Sequence, residues 1–560
     1  MKLTKEQELA VETVKNGQDL KLNAFAGAGK TSTLVVMAEA LAPKKGLYLA
    51  FNKAIADEAK RKMPSNVQSR TFHSMAYSSM PDWMRERFKE PPMHINDFCE
   101  KFKLGSLTYK AKQKTYQKMN NRVFSGSIEQ SKRIGSYKQK RLVDLSLNAF
   151  MSSTDEHPTS DHVRHAINED LPELRKENSF IFERLVTDIT PIIQYLWADY
   201  SSPLGEMGIG NNHNVYLKYW SISDPVVDFD FVLFDEAQDA DGLMLKILSK
   251  QKCQVIYVGD KHQQIYAWRG AENALEKVNA NELYLTQSFR FGQALADACT
   301  PILDVLGEDK KFRGTDEVTV VEKTQIQSLD EYKNFDACLC RTNAEVVMTI
   351  LELASGGIPC STNIDTKSII QTLFDMRELQ TNTKDVDLSL PNVKPYETKN
   401  KKLKHRSWEE FVIFMKEFNS EPELAITFDI YMNYGLGEIT KALKSANSKS
   451  GVTVTTAHKA KGLEWDSVIL KSDFLKGFFE TSQKDVVYSK VSECSIYDKK
   501  RYVEKGGSLD DIVPVIKTND EVLAELRLLY VAVTRAKKRV NLSEVDMIFD
   551  EFFKLHSLLK

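Results

Sequence analysis

Cysteine is scarce. Seven are scattered through 560 residues, an odd count with no C-x-x-C pair. That argues against a disulfide-stapled scaffold and against a zinc or iron–sulfur site, and fits reduced thiols in a cytosol. Long apolar runs are missing too: none approaches the ~18 residues needed to span a bilayer. The opening Met1-Lys-Leu-Thr-Lys-Glu-Gln7 has no apolar core of a secretory signal, so none is expected. Charge of one sign is also lacking. Lys and Arg number 76 against 78 Asp and Glu, a net of −2, so nothing global announces a polyanionic partner. No internal sequence repeat occurs, so any repetition must be one of fold.

What is present is length enough for several domains, each with its own core. Apolar content of 42% and charged content of 28% are ordinary for a soluble globular protein. Thr4 to Lys15 reads as a helix, with Thr4 as N-cap and Gln7 three residues on. Short β-rich apolar runs at 20–24, 46–51, 231–234 and 255–258, separated by helical patterns, predict a parallel sheet flanked by helices. A later set at 318–321, 337–340, 452–456 and 468–470 predicts a second α/β unit.

Two segments carry the chemistry. Ala24-Phe-Ala-Gly-Ala-Gly-Lys30-Thr31 follows the first strand and opens a helix. Backbone N–H groups of such a loop, with a helix N-terminus behind them, bind polyphosphate. The set is Ala26, Gly27, Ala28, Gly29, Lys30, Thr31 and Ser32. Lys30 reaches the β- and γ-phosphates of a nucleoside triphosphate and Thr31 ligates Mg²⁺. A strict phosphate loop begins with Gly; here Ala24 stands, but Gly27 and Gly29 remain where the backbone must bend. The second segment, Phe231-Val-Leu-Phe-Asp235-Glu236, is a buried strand ending in two carboxylates. Asp235 can hold the metal, directly or through water, and Glu236 can take a proton from attacking water.

From Lys110 to Arg141 ten Lys or Arg meet one acidic residue, Glu129, with Tyr109, Tyr116, Phe124 and Tyr137 interleaved. Such a stripe suits phosphate contacts with base stacking; a solvated helix face is the plainer alternative.

Together with the segments below, these residues resemble superfamily 1A helicases of the UvrD/Rep type. Within them the likeness is to the F-box DNA helicase subfamily, without its F-box, in a bacterial or phage form. Leu3-Thr-Lys-Glu-Gln7 is similar to the family's Q motif, which implies that Gln7 reads adenine; a capping role for Gln7 is compatible with this. Ala50-Phe51-Asn52-Lys53-Ala54 and Arg70-Thr71-Phe72-His73 are similar to motifs Ia and Ib. The resemblance implies that Phe51, Asn52, Lys53, Thr71 and His73 line a single-strand channel. Gly259-Asp260-Lys-His-Gln263-Gln-Ile-Tyr266-Ala-Trp268 resembles motif III, with Gln263 sensing the γ-phosphate and Tyr266 and Trp268 on DNA. Thr286-Gln-Ser-Phe289-Arg290 resembles motif IV: Phe289, where the family more often has Tyr, would stack on adenine, and Arg290 would reach the γ-phosphate. Thr456-Ala-His458-Lys-Ala-Lys461-Gly-Leu-Glu464-Trp resembles motif V, giving His458 to DNA and Glu464 to the ribose. Leu529-Tyr530-Val-Ala-Val-Thr534-Arg535-Ala resembles motif VI, with Arg535 as an arginine finger. Asn212-His213-Asn-Val-Tyr216-Leu-Lys218-Tyr-Trp220 looks like a segment typical of the F-box helicases and their bacterial and phage relatives.

The fold class implied is α/β: two RecA-like parallel-sheet motor domains in tandem, each with an inserted, mainly helical subdomain. The expected boundaries are 1–77 with 181–280 for motor domain 1A, 78–180 for insertion 1B, 281–360 with 450–560 for motor domain 2A, and 361–449 for a short insertion 2B. Within the last, 379–407 reads as polar, Lys-rich loop or linker. The implied activity is ATP- and Mg²⁺-dependent translocation on single-stranded DNA and unwinding at single/double-strand junctions, 3′→5′, by a monomer. A single-strand-binding protein or a recombinase would be a protein partner, and no membrane is involved. Rival readings are a translocase that strips proteins from DNA, a 5′→3′ superfamily 1B helicase, and an ATP-switched scaffold without turnover. The absence of a cysteine cluster and of any nuclease-like tail disfavours helicase–nucleases. The expected location is the cytoplasm of a bacterial or phage-infected cell, or the nucleus in a eukaryote.

Overall fold

The computed structural model describes residues 3–119, 122–265, 273–382, 396–399, 403–417, 422–446, 450–478, 480–481, 486–487 and 520–553. Helix α1 (Lys5–Lys15) starts in a capping box: the Thr4 hydroxyl accepts from Gln7 N–H while Gln7 reaches back to Thr4 N–H. The first sheet holds β1 (Leu20–Ala24), β2 (Gly46–Ala50), β3 (Val67–Thr71), β4 (Phe231–Phe234), β5 (Gln254–Gly259) and β6 (Asn281–Leu285). Its order is β3-β2-β4-β5-β1-β6, every pairing parallel. β2 and β4 are buried along their whole length, as expected for strands covered by helices on both faces. Helices α2 (Lys30–Ala40), α3 (Lys53–Lys62) and α4 (Phe72–Ser78) leave the carboxyl ends of β1, β2 and β3.

The second sheet repeats the plan. It holds β7 (Val320–Glu322), β8 (Ala337–Cys340), β9 (Cys360–Thr362), β10 (Val452–Thr456), β11 (Trp465–Leu470) and β12 (Ala536–Asn541), ordered β7-β12-β11-β8-β10-β9 and again parallel. The chain crosses between the two units at one short point. β6 ends at Leu285, and by Gln287 the chain is in a strand, Gln287–Gly292, that pairs with Arg313–Thr315. Between them the Glu6 carboxylate accepts from Thr286 N–H and hydroxyl at 2.8 and 2.7 Å.

The first insertion packs α5 (Ser136–Ser152), a helix over Ser160–Asp170 and the 22-residue α6 (Ser179–Tyr200). Three expected boundaries shift. Residue 180 lies inside α6, which packs on α5; strand 281–285 pairs in the first sheet; strand 360–362 pairs in the second. A further departure is an antiparallel hairpin, 107–119 with 122–134, in continuous register from Leu107↔Ile134 to Met119↔Arg122. The stretch 78–180 therefore departs from the helical expectation there. Its start shows why: Leu107, Tyr109 and Ala111 are buried while Thr108 and Lys110 are exposed, the period of a strand.

The second insertion contains helices Thr366–Asn382, α7 (Trp408–Glu417), Pro422–Asn433 and Leu436–Ser445, with two-residue strands at 396–397 and 404–405. The expected linker at 379–407 is thus partly ordered structure; 383–395 and 400–402 lie outside the described residues. One side of this insertion (Leu379, Leu403, Phe411, Phe414) joins the core of the first insertion. Its other side (Leu373, Ile439, Leu443) joins the core under the second sheet. Among the described residues no helix is long and apolar enough to cross a membrane.

Candidate nucleotide site and nucleic-acid path

In parallel sheets, ligands gather at the carboxyl ends of strands, where loops and helix N-termini converge. Here β1 delivers the phosphate loop, β4 delivers Asp235 and Glu236, and β5 delivers Asp260 to Gln263. Gly27 and Gly29 both sit in the left-handed region, at φ 74° and 76°. A Cβ on Gly27 would lie 2.5 Å from Ser288 Oγ and 2.7 Å from Arg290 Cβ, so the second unit closes directly on this turn. Gly29 caps α2, which begins at Lys30, with Thr31 and Ser32 in its first turn. The ring of Phe289, 46% exposed, would lie 3.5 Å from a Cβ on Gly29, and Gln7 Nε2 3.3 Å from it. An open aromatic face beside an amide thus borders the loop. The Gln7 amide is already engaged, with Nε2 donating to Thr33 Oγ1 at 2.9 Å and Oε1 accepting from Thr4 N–H at 3.0 Å.

Lys30 Nζ lies 4.0 Å from Glu236 Oε1. Asp235 accepts from Tyr48 Oη at 2.5 Å and from Glu236 N–H at 2.9 Å. Glu236 adopts left-handed backbone (φ 55°), unusual for a side chain of its size. Gln238 Nε2 donates to its Oε2 at 2.5 Å. Burial, then the neighbouring Glu236 charge, push the Asp235 carboxyl up. Burial opposes charge on Glu236 as well, but Lys30 and Lys461 outweigh it and hold that carboxyl down. Glu236 is therefore ionised at neutral pH and able to accept a proton from water.

The second unit supplies cations across the cleft. Arg535 is buried; its Nε donates to Val531 O (3.0 Å), Nη1 to Leu463 O (3.2 Å) and Nη2 to Gln263 Oε1 (3.2 Å). Burial and the adjacent Arg290 charge lower its proton affinity. Arg290 donates from Nε to Glu464 Oε2 (2.8 Å) and from Nη1 to Thr534 O (2.9 Å). Gln263 Nε2 donates to Asp260 Oδ2 at 2.8 Å. Sequence reasoning missed three participants. Lys461 bonds Asp239 and Gln263 O (2.9 Å) and stands 3.9 Å from Glu236; Tyr48 holds Asp235; the Tyr530 hydroxyl bridges Ala26 N–H (3.2 Å) and Asp260 (3.3 Å). Lys461 and Tyr530 lie inside segments already singled out, so membership of a motif was the available signal.

Thr31 and Asp235 offer hydroxyl and carboxylate oxygens beside the phosphate loop, a hard-oxygen set that suits Mg²⁺. Among the described residues no group of three or more His, Cys, Asp or Glu forms a metal cluster of its own.

The expected nucleic-acid residues also follow strand ends. Asn52 caps α3, accepting from Ile55 N–H at 3.0 Å, with Phe51 half-buried and Lys53 exposed beside it. Thr71 caps α4 through Ser74 N–H (3.0 Å), so its hydroxyl has a structural partner. His73 packs 6.3 Å from the His213 ring and 6.1 Å from Tyr216, which ties the Asn212–Trp220 segment to this path; burial lowers its basicity. His458 sits in the short helix after β10. Tyr266 and Trp268 lie outside the described residues. Part of the basic stripe is spent internally: Tyr109 and Lys132 bond Glu177, Tyr137 bonds Glu410, and Lys138 and Arg141 pair with Asp170. Tyr109 and Tyr137 are thus buried structural side chains rather than open stacking platforms, while the side chains of Tyr116 and Phe124 lie outside the described residues.

Two parallel-sheet units facing across one cleft, lysine and carboxylates on one side and arginines on the other, define a nucleoside-triphosphate motor core. The chain belongs to the UvrD/REP helicase family: the UvrD/REP helicase N-terminal domain matches residues 3–280 and the UvrD-like helicase C-terminal domain matches 364–546. It is 28% identical to F-box DNA helicase protein 1 of Schizosaccharomyces pombe, over 97% of this chain and 57% of that one. It is 28% identical to F-box DNA helicase 1 of Gallus gallus, over 97% and 49%. A probable DNA helicase II homolog of Mycoplasma genitalium is 21% identical over 95% and 84%. The chain spans about half the length of the two F-box relatives.

Proposed function

We propose that the chain is an ATP-dependent DNA helicase, a DNA-stimulated ATP hydrolase that moves 3′→5′ along single-stranded DNA. One observation carries the ATP-hydrolase reading: Lys30, Asp235 and Glu236, at the carboxyl ends of the first sheet's strands, face Arg290 and Arg535 of the second unit, with Gln263 bonded to Arg535 between them, while the 3′→5′ direction is what the family resemblance implies. Lys30 and the loop amides hold the β- and γ-phosphates, and Phe289 and Gln7 border the adenine. Thr31 and Asp235 would hold Mg²⁺, which neutralises charge building on the transferred phosphoryl. Glu236 takes the proton of the attacking water. Arg290 and Arg535 stabilise the developing negative charge, but only with the cleft closed, so hydrolysis favours opening. Alternating closure gives directed movement if Phe51, Asn52, Lys53, Thr71, His73, Tyr266, Trp268 and His458 grip the strand. The reading places the protein wherever cellular or phage DNA is single-stranded, beside single-strand-binding protein or recombinase.

The test is ATP hydrolysis with and without single-stranded DNA, beside Glu236→Gln. Strong stimulation that the variant loses is the expected result. Absence of hydrolysis in both conditions overturns the motor reading in favour of an ATP-switched scaffold. Translocation on strands of defined polarity then checks direction.

A further inference from the structure

The loop after β5, residues 260–265, belongs by chain order to the first unit, yet the second unit holds it at three places. Ile265 is buried in the second unit's core, together with Phe25 and Ala26 of the phosphate loop. Asp260 Oδ2 accepts from the Tyr530 hydroxyl at 3.3 Å. Lys261 Nζ and His262 Nε2 lie 2.9 and 2.8 Å from one oxygen of Glu308, a residue just beyond the second unit's helix Gln293–Val305. A carboxylate only accepts, so the proton of this imidazole sits on Nε2. The other Glu308 oxygen accepts from Asp309 and Lys310 N–H at 3.0 and 2.9 Å.

The Glu308 side chain has no exposure to solvent. A carboxylate so placed persists only where its partners replace water. Burial works against its charge, and the bonds from His262, Lys261 and Lys310 N–H outweigh that and hold the carboxyl at about 2. The rings add shape: His262 lies 6.2 Å from Phe25 and 6.4 Å from Tyr530. The contact also sits next to the crossing between units, since Lys261 and Lys310 both approach the ring of Tyr284 on β6. Near a pivot, rotation displaces atoms least, so such bonds can survive opening and closing.

We infer that Glu308 and Tyr530 are positioning residues that clamp loop 260–265 to the second unit, so that Gln263 is carried with Arg535 when the cleft closes. The inference rests on the ATP-motor reading for the role of Gln263, but the clamp itself does not. On this account the γ-phosphate end of the site is assembled by two units acting through one loop; of the first unit's described residues Glu308 bonds only that loop, whereas the Tyr530 hydroxyl also accepts from Ala26 N–H of the phosphate loop. Loss of the Glu308 hold should slow the chemical step without weakening ATP binding.

The test uses the whole chain with Glu308→Gln, Tyr530→Phe and the double variant; both substitutions keep side-chain shape. Amide hydrogen exchange over residues 258–265 is read without nucleotide or DNA, and kcat and KM for ATP are read with saturating single-stranded DNA. The expected result is faster exchange and kcat lowered about tenfold in each variant, with KM within about twofold in Glu308→Gln, which leaves the phosphate loop untouched, while Tyr530→Phe also frees Ala26 N–H. The double variant should lose less than the product of the single losses, because both release the same loop. Unchanged exchange overturns the clamp. Faster exchange with kcat unchanged, or a loss confined to KM, overturns the positioning role. If the unaltered chain shows no DNA-stimulated turnover, the motor reading fails and with it the positioning role of Gln263, while the exchange arm still decides the clamp.

Discussion

The two motor units share a six-stranded parallel sheet but not a chemistry. The first presents a phosphate loop and acidic strand ends; the second presents Arg290 from within strand Gln287–Gly292, Lys461 just past the helix Ala457–Ala460, and Arg535 between the helix Asp520–Val533 and β12. Neither half is a complete site. The insertions differ in the same spirit. The first packs on its own unit, whereas the second divides itself, one side on the second sheet's core and the other on the first insertion. Duplicated architecture therefore suits the proposed division of labour, in which one unit binds and the other completes, and the second insertion packs against both.

The sharpest way to break the comparison is to remove each half's leading cation. Lys30→Ala should reduce ATP turnover on the order of 10³-fold or more while single-stranded DNA binding, followed by fluorescence anisotropy, stays nearly unchanged. Appreciable turnover in that variant would show that the first unit is not the phosphate binder. Arg535→Lys keeps the charge but loses the fork that serves Val531, Leu463 and Gln263. It should cost about 10²-fold in kcat with little change in KM. An effect on KM instead would make the second unit a binder rather than a completer.

The bridging role of the second insertion can be tested with acid. His405 packs at 4.9 Å from the Phe414 ring, beside Glu410, which accepts from Tyr137 of the first insertion at 3.0 Å. Burial pushes the His405 imidazole down to about 4, with Glu410 pulling the other way and His94 adding to the fall. Between its ordinary value near 6.5 and about 4, the unfolded chain binds a proton that the folded one refuses. Stability must therefore fall as pH drops through that window, by up to about 3 kcal/mol. Denaturant titrations at several pH values check this, and His405→Gln should flatten the slope. The smallest effect expected is at Thr71. Thr71→Ala removes the N-cap of α4 and should cost about 1 kcal/mol, with Thr71→Ser largely spared. If DNA affinity falls in Thr71→Ala while stability does not, the hydroxyl serves the strand and not the helix.

How far the sequence could be read depended on the range of each interaction. Strand–loop–helix signals are local, so the phosphate loop, Asp235-Glu236 and both parallel sheets were legible from the chain. The hairpin at 107–134 was not, because alternating Lys and Tyr also suit a basic helix face and the deciding burial of Leu107, Tyr109 and Ala111 comes from packing. Likewise the helix cap that Thr71 supplies and the bond from Tyr137, one aromatic of the basic stripe, to Glu410 were not visible in the chain. Partners more than a hundred residues apart, such as Lys461 with Asp239 or Tyr530 with Ala26, leave no local trace.

The crossing at Thr286, held by Glu6, is a tether barely longer than one residue. A flexible linker of ordinary length would let the two half-sites wander and meet at millimolar effective concentration. Here they have almost nowhere to go. On the ATP-motor reading proposed above, diffusion drops out of the closing step, and the stroke becomes a swing about a fixed post.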